Sequence, residues 1–386
     1  MNLHLSHDDK FLDSFIENAK KYSTSINKYV VFAESGTLIY TKSTDIFIAE
    51  YSIESFKNIL NENKNIEKIY FHSINHFYAL IVDHFKLELK YKLIWFFYGY
   101  EVFELKMYFK SLLAKKTRKV HRLECSQSLR DKRPKNFIRN LILKIKNEYK
   151  RYKDDRKIVE LIKKIHVVGH FIEEDVQRFI IPLNRSILHI NWNYLSSKDL
   201  ECLELKQSIG SNSTNILLGN SAANTNNHID ALYFLHKKVG NDKNILIITP
   251  LNYSGSKFYV NQVVSYGRKL FGDRFLPLLD FISKDEYYAI LKKVNFAFFF
   301  NIRSQAAANI NWLLNNNKVV FMHKKSTLYS FYKNKGFRLF SHDQFDSHFL
   351  NSHFHSVQNL NEKPMNKYFG EIEMKNKYKA ILEVKF

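Results

Sequence analysis

Residues 219–228, GNSAANTNNH, connect a short apolar run at 215–218 to a segment in which apolar residues recur at helical spacing between 229 and 235. This order predicts a buried strand, a tight connection and an amphipathic helix. The start of such a helix has unpaired backbone N–H groups and a partial positive charge, which suit a phosphate. The alternative is an ordinary connection whose asparagines cap the helix.

A second segment has the same design. The apolar run NFAFFF at 295–300 predicts another buried strand, and a helix is predicted from Gln305 to Leu314. Arg303 then lies at the carboxyl end of a strand, where its guanidinium suits a diphosphate, although a solvated surface arginine is the alternative. Because ligands of open α/β sheets bind outside the strand carboxyl ends, two such loops favour a binding site.

The rest of the chain alternates predicted strands and helices, which is an α/β pattern. In the first half, one helix is predicted over 102–114 and a basic helix over 136–149. In the second half, Ser283 and Glu286 form a capping box ahead of a helix at 287–293. The polar stretch LKQSIGSNSTN, residues 205–215, has the composition of a linker.

Several motifs, in this order and spacing, resemble one known family. The motifs are GNS and NNH within 219–228, TPLNY at 249–253, KFYVNQVVSY at 257–266, DEYY at 285–288, and Arg303, Gln305 and Asn309. They resemble the TDP-N-acetylfucosamine:lipid II N-acetylfucosaminyltransferases, family 56 of the GT-B glycosyltransferases, which assemble bacterial surface polysaccharides. The resemblance covers about residues 215–330, and in the first half only WFFYGYEVF, 95–103, is similar.

The resemblance implies a GT-B fold, with two Rossmann-like domains and a cleft between them. The first domain is expected at 1–204 and binds the acceptor, and its basic helices face a membrane. The linker is expected at 205–215 and the donor-binding domain at 216–350. The tail, 351–386, is expected to cross back to the first domain, as the final helix of GT-B enzymes commonly does.

The resemblance also implies the site residues. The donor diphosphate and sugar are expected to contact a set of mostly polar side chains: Asn220, Ser221, Asn226, Asn227, His228, Gln305 and Asn309. Arg303 is expected to stabilise the leaving group. Tyr253 is expected to stack on the nucleobase, the alternative being a core position.

The catalytic base is expected to be Glu101, because the family often places an acid there. The alternative for Glu101 is a first-turn glutamate that complements the helix dipole. Glu174 and Asp175 are a second candidate pair for the base. Gln305 and Asn309 are four residues apart, so on one helix face both side chains could reach one ligand.

No metal or other cofactor is expected. The chain has no Asp-x-Asp triplet, the motif with which one class of glycosyltransferases holds a metal, which favours a metal-independent GT-B enzyme. Cys125 and Cys202 are too few for a zinc site or a disulfide framework. Four histidines, at 342, 348, 353 and 355, have the context of a solvated loop.

The net charge of +21 is concentrated in one segment, 106–164, which has 21 lysines and arginines against six acidic residues. Within it, Phe137, Ile138, Leu141, Ile142 and Ile145 fall on one helical face, with Arg139, Lys144, Lys146 and Lys150 around it. A basic amphipathic helix is typical of a membrane surface. The alternative is an ordinary surface helix with a solvated basic face.

Together these features predict a glycosyltransferase. It is expected to move a 4-acetamido-4,6-dideoxyhexose from a TDP-sugar to a polyprenyl-diphosphate-linked saccharide, on the cytoplasmic face of the bacterial inner membrane. No apolar run is long enough to cross a bilayer. The rival hypotheses are a basic nucleic-acid-binding protein, although no DNA or RNA motif is present, and a non-catalytic sugar-nucleotide-binding module.

Overall fold

The computed structural model describes residues 1–34, 37–130, 137–193, 213–240, 242–346 and 360–386, without the side chains of 128–130, 137–149 and 284. Most of the predicted linker lies outside these ranges, as do Cys202 and the histidines at 348, 353 and 355. Within the described ranges, no helix combines the length and the apolar character needed to cross a bilayer. The chain forms two compact units.

The first unit comprises Met1–Lys106, Ile145–Ser196 and Phe369–Phe386. Its strands are β1 Asn2–His7, β2 Asn27–Phe32, β3 Phe47–Ala49, β4 Lys68–His72, β5 Lys92–Phe96, β6 Val167–Gly169 and β7 Leu188–Ile190. They form a parallel sheet of order β3-β2-β1-β4-β5-β6-β7. The order reverses between β1 and β4, which is the topological switch point of this sheet.

The helices of the first half of the chain are divided between the two units. They are α1 Leu12–Tyr22, α2 Ile53–Glu62, α3 His76–Phe85, α4 Leu87–Lys90, α5 Tyr100–Phe103, α6 Lys106–Phe109, α7 Lys115–Arg130, α8 Phe137–Lys164 and α9 Glu173–Asp175, with a 3₁₀ helix Lys110–Leu112 and a π-helix Val176–Ile180. The single helix predicted over 102–114 is wrong, because the chain breaks there into α5, α6 and the 3₁₀ turn.

Strands β4, β5 and β6 of this unit are mostly apolar, as is typical of a parallel sheet whose two faces are both covered. Phe15 of α1 lies at the centre of one face. Its ring is 5.0 Å from that of Phe96, 5.9 Å from Trp192 and 5.5 Å from Tyr378. Tyr378 belongs to the final helix, which therefore packs in the core of the first unit.

The second unit comprises Met107–Lys144 and Ser197–Tyr368. Its strands are β8 Thr214–Leu218, β9 Ile245–Pro250, β10 Phe275–Leu278, β11 Phe296–Phe299, β12 Val319–Met322 and β13 Phe340–Ser341. They form a parallel sheet of order β10-β9-β8-β11-β12-β13. Its switch point lies between β8 and β11, the two strands that precede the loops singled out in the sequence.

The remaining helices are α10 His228–Val239, α11 Lys257–Phe271, α12 Lys284–Lys293, α13 Ala307–Asn315, α14 Thr327–Asn334, α15 Glu362–Phe369 and α16 Glu371–Leu382, with 3₁₀ helices Asn224–Asn226, Gly272–Arg274 and His342–Gln344. The predicted capping box is confirmed. The Ser283 hydroxyl accepts from the Glu286 N–H, and the Glu286 carboxylate accepts from the Ser283 N–H.

The structure divides the chain differently from the sequence-based domains, because residues 107–144 belong to the second unit. The reason is a set of contacts at the start of α7. The backbone N–H groups of Lys116 and Thr117 donate to the carboxylate of Asp230 on α10, at 2.9 and 2.7 Å. Val120 of α7 is buried in the apolar core of the second unit.

Candidate active site

The loop after β8 is more compact than a direct strand-to-helix connection. Gly219 has φ +70°, the chain makes a 3₁₀ turn at Asn224–Asn226, and Asn227 has φ 55° before α10 begins at His228. Asn227 occupies the N-cap position without a side-chain capping bond. The alternative, in which the asparagines cap the helix through their side chains, does not hold for Asn227.

The Asn227 side chain instead joins three segments of the second unit. Its amide nitrogen donates to the carbonyl oxygens of Leu112, Thr225 and Phe300 at 3.1, 3.2 and 3.0 Å. Its oxygen accepts from the N–H of Ala114 at 2.8 Å. The residue is fully buried, so these bonds hold the loops after β8 and β11 together.

Asn226 and His228 are also fully buried and pack against the backbone of Gly219. A Cβ atom at Gly219 would lie 2.8 Å from His228 Nε2 and 3.2 Å from Asn226 Oδ1, so only glycine fits. Burial lowers the pKa of His228 to about 3, and its Nδ1 pairs with the Tyr259 hydroxyl at 3.2 Å. His228 is therefore neutral, and the two side chains shape the loop from beneath.

The polar side chains nearer the surface form one connected network. Arg303 Nε donates to Thr225 Oγ1 at 3.2 Å, and the Thr225 hydroxyl donates to Gln305 Oε1 at 2.7 Å. Gln305 Nε2 in turn donates to Asn220 Oδ1 at 3.1 Å. Asn220 Nδ2 donates to the Tyr253 hydroxyl at 3.0 Å. The network joins the carboxyl ends of β8, β9 and β11.

Ser221 closes the network on its buried side. Its hydroxyl accepts from Asn226 Nδ2 at 3.1 Å and from Gln305 Nε2 at 3.4 Å. Tyr253 lies at the other end of the network and is 54% exposed. The core position considered for Tyr253 is therefore wrong.

The expected helix over Gln305–Leu314 begins later than predicted. Ala306 has φ 65° and α13 starts at Ala307, so Gln305 precedes the helix and does not share a face with Asn309. Asn309 Nδ2 donates instead to the Tyr287 hydroxyl at 2.9 Å. The structure thus places Gln305 in the polar network and Asn309 beside α12.

The sequence did not indicate Thr225, which joins Arg303 to Gln305, or the acid Glu124 on α7. The Glu124 carboxylate accepts from Asn224 Nδ2 at 3.5 Å and from the Ser256 hydroxyl. Thr225 and Glu124 make these contacts with residues that are distant in the sequence. No local sequence pattern therefore indicates their role.

In the first unit, Glu101 lies at the start of α5, after the carboxyl end of β5. Its Oε1 accepts from Trp95 Nε1 and from the Tyr98 N–H, both at 3.3 Å, and Oε2 has no hydrogen-bond partner among the described residues. The residue is 8% exposed. Burial raises the pKa of Glu101 from its ordinary value of 4.5 to about 7, against the opposing effect of the hydrogen bonds.

Glu101 makes the free energy of unfolding depend on pH, with a higher stability at low pH. Because its pKa is raised in the folded protein, it stabilises the fold below pH 4.5, and this contribution is lost as the pH rises through about 7. The full difference is about 3 kcal/mol. Glu101→Gln, which keeps an acceptor oxygen, should remove this dependence. Urea unfolding of both proteins at pH 5.5 and 8.5 measures it, and equal pH dependence in the two would contradict the assignment.

Asp175, of the second candidate pair, is fully buried and faces His170. Its Oδ2 lies 3.1 Å from His170 Nε2, and His170 Nδ1 lies 2.9 Å from the carbonyl oxygen of Phe97. Because a carbonyl oxygen only accepts, Nδ1 of the His170 ring donates to Phe97, and Nε2 pairs with the Asp175 carboxyl group. Asp175 and His170 thus hold Phe97, from which the chain leads to Glu101. Glu174, the other member of the candidate pair, is half-buried.

Among the described residues there is no group of three or more histidine, cysteine or acidic side chains suited to a metal. His342 stacks on His323, with centroids 4.8 Å apart, rather than lying in a solvated loop. A cavity of about 500 Å³ in the first unit is lined by Asn27, Tyr29 and Asp45, at the amino ends of the strands. It is remote from the carboxyl edge of the sheet that positions Glu101.

Comparison with solved structures identifies the fold. A glycosyltransferase from Rickettsia africae ESF-5 is 14% identical, with 100% of this chain and 99% of that chain covered and a TM-score of 0.63. HepE of Anabaena, solved with UDP-glucose, is 10% identical over 99% of each chain, with a TM-score of 0.62. A trehalose-6-phosphate protein from E. coli, bound with UDP-2-fluoro glucose, is 9% identical over 99% and 98%, with a TM-score of 0.64.

The two parallel sheets and these neighbours define the GT-B glycosyltransferase fold. The family follows from the sequence: residues 194–383 match the family described as 4-alpha-L-fucosyltransferase, glycosyl transferase group 56. The resemblance stated from the motifs is thereby confirmed, since the second half of the chain matches this glycosyltransferase family.

Proposed function

We propose that the protein transfers a 4-acetamido-4,6-dideoxyhexose from TDP to a saccharide linked to polyprenyl diphosphate. The observation that supports this most is the polar network at the switch point of the second unit, with Arg303 at one end and the exposed ring of Tyr253 at the other. A nucleotide sugar needs both a cation for its diphosphate and a flat apolar surface for its base. HepE, with the same fold, was solved with UDP-glucose.

The side chains of this network and its surroundings have distinct roles in donor binding and in stabilising the leaving group. The Arg303 guanidinium stabilises the negative charge of the departing nucleoside diphosphate. Asn220, Ser221 and Gln305 bind the diphosphate and sugar by hydrogen bonds, with Asn309 at the edge of the site. The buried side chains of Asn226, Asn227 and His228 act from beneath, by holding the backbone of the loop in position.

The first unit supplies the acceptor side of the reaction. Transfer requires a group that takes the proton of the acceptor hydroxyl as its oxygen attacks the anomeric carbon. Glu101 is the candidate from the sequence, and its pKa of about 7 suits that task, but the residue is only 8% exposed. Membrane attachment through the basic helix 136–149 would bring the enzyme to its lipid-linked acceptor on the cytoplasmic face of the inner membrane.

The donor should bind without a divalent metal. The chain contains no Asp-x-Asp triplet, and Arg303 provides positive charge for the diphosphate. Calorimetric titration of TDP in EDTA should give the same affinity as in Mg²⁺. A loss of affinity in EDTA that Mg²⁺ restores would overturn the metal-free mechanism.

The function is tested by a mass-spectrometric screen of TDP- and UDP-sugars with a short polyprenyl-diphosphate-linked disaccharide. Sugar transfer from a TDP-aminodeoxysugar, and not from UDP-sugars, is the expected result. TDP binding without any transfer would favour a non-catalytic sugar-nucleotide-binding module. Binding of DNA or RNA with a steep salt dependence, without TDP binding, would favour the nucleic-acid hypothesis.

A further inference from the structure

A second group of polar side chains lies at the switch point of the first unit. His7 is the last residue of β1, and Ser73 directly follows β4, the neighbouring strand on the other side of the reversal. Ligands of open parallel sheets bind outside the strand carboxyl ends at this point. Glu101 follows β5, one strand further from it.

His7 has a partner on each side of its ring. Its Nε2 lies 3.4 Å from Asp9 Oδ2, and its Nδ1 lies 3.5 Å from Ser73 Oγ. Because a carboxylate only accepts, the ring proton belongs on Nε2 and Nδ1 is left as the basic nitrogen. These distances are long, as is usual for catalytic hydrogen bonds without a substrate.

Exposure distinguishes His7 from Glu101. The side chain of His7 is 30% exposed and that of Asp9 is 15% exposed, whereas Glu101 is 8% exposed, with two donors on its Oε1 and with its Oε2 buried. A base must reach a proton on a bound substrate, and the imidazole has the access that the carboxyl group lacks.

The backbone supports a functional role for this position. Ser73 is a non-glycine residue with φ 67°, it is 1% exposed, and its N–H donates to the carbonyl oxygen of Phe96 at 3.2 Å. Left-handed backbone at a buried serine is disfavoured and concentrates at functional sites. Here it directs the Ser73 hydroxyl toward His7.

The other titratable groups near His7 do not supply a competing positive charge. Burial lowers the pKa of His72 on β4 well below its ordinary value, so this ring is neutral. Tyr100 on α5 interacts with Ser73, and Asp8 accepts from the N–H groups of 39–41. Asp9 is therefore the charged group paired with the His7 ring.

We propose that His7 is the general base of the transfer reaction and that Asp9 is its positioning residue. The inference rests on the proposed function. The acceptor O–H proton passes to His7 Nδ1 while the acceptor oxygen bonds to the anomeric carbon. The bond from that carbon to the diphosphate oxygen breaks, and its electron pair leaves with TDP.

The test measures transfer from the TDP-sugar by full-length His7→Gln and His7→Ala, with TDP binding measured by calorimetry. The rate should fall about 10²–10³-fold, within the range that general bases contribute, with TDP affinity unchanged. The wild-type rate should decline at acid pH, and this acid limb of the pH profile should vanish in His7→Gln. Added imidazole should restore part of the His7→Ala rate.

His84→Gln is the matched control, since His84 is an exposed histidine on α3 of the same unit. A near-wild-type rate for His7→Gln, or an unchanged acid limb, would refute the inference. A loss of activity in Glu101→Gln alone would assign the base to Glu101. If both His7 variants fail to fold, Asp9→Asn should still shift the acid limb, and no shift would count against His7. Absence of transfer by the wild-type protein would instead refute the proposed function.

Discussion

Arg303→Ala is expected to lower the rate of sugar transfer by about 10²–10³-fold, the usual cost of removing one preorganised group from a developing charge. The leaving diphosphate gains negative charge as the glycosidic bond breaks, and Arg303 lies in the loop after β11, tied to Thr225. Single-turnover kinetics with saturating TDP-sugar measures the effect on the chemical step.

Arg303→Lys should recover only part of the rate, because an ammonium lacks the planar fork that matches a diphosphate. Arg268→Ala, at an exposed position on α11 of the same unit, is the matched control and should be near wild type. The fold should persist, since the buried support of the loop comes from Asn227. A rate close to wild type for Arg303→Ala would remove this residue from the mechanism.

The sheets were predictable from the sequence because most strands contain an apolar run. Runs such as LIWF in β5 and FAFF in β11 are typical of parallel sheets covered on both faces. Two short strands were missed, β7 and β13, since two or three residues are too few to show a period. The GT-B fold followed from the motifs.

Helix boundaries were less predictable where tertiary contacts decide them. Residues 115–130 contain few apolar side chains, and no helix was predicted there, yet α7 forms because Asp230 accepts from its first N–H groups. Ala306 is a good helix former, but it adopts φ 65° and delays the start of α13. Neither effect is encoded by local periodicity.

The candidate site was only partly predictable for a similar reason. The residue types at the ends of β8 and β11 indicated a diphosphate site, but the sequence did not distinguish the side chains of the polar network from those that support the backbone. Asn220 and Asn227 have the same side chain and lie in the same loop. In the structure, Asn220 belongs to the polar network, whereas Asn227 joins backbone segments. The sequence alone did not indicate His7 and Asp9. Only the order of the strands shows that the end of β1 lies at the switch point of the sheet.

The basic residues of α8 are expected to attach the protein to a membrane surface. Neutralising Arg139, Lys144, Lys146 and Lys150 together should release the protein from anionic vesicles. Each basic residue near such a surface contributes about 1 kcal/mol, so four shift partitioning by roughly 10³ at low salt. The structure places them on α8, where Lys150 is exposed and the other three side chains lie outside the described residues. Vesicle sedimentation across a salt series measures the loss.

A control variant with the same change in net charge shows whether vesicle binding depends on the basic residues of α8 or only on the total charge of the protein. Lys237, Arg268, Lys269 and Lys333 are exposed positions of the second unit, and neutralising them should leave sedimentation nearly unchanged. Because attraction to a headgroup layer decays within a Debye length, only residues near the surface contribute. TDP affinity should be the same in the α8 variant and the wild type, since the donor network is in loops after β8, β9 and β11. If the α8 variant still sediments with vesicles, the basic helix is an ordinary surface helix and attachment depends on another part of the chain.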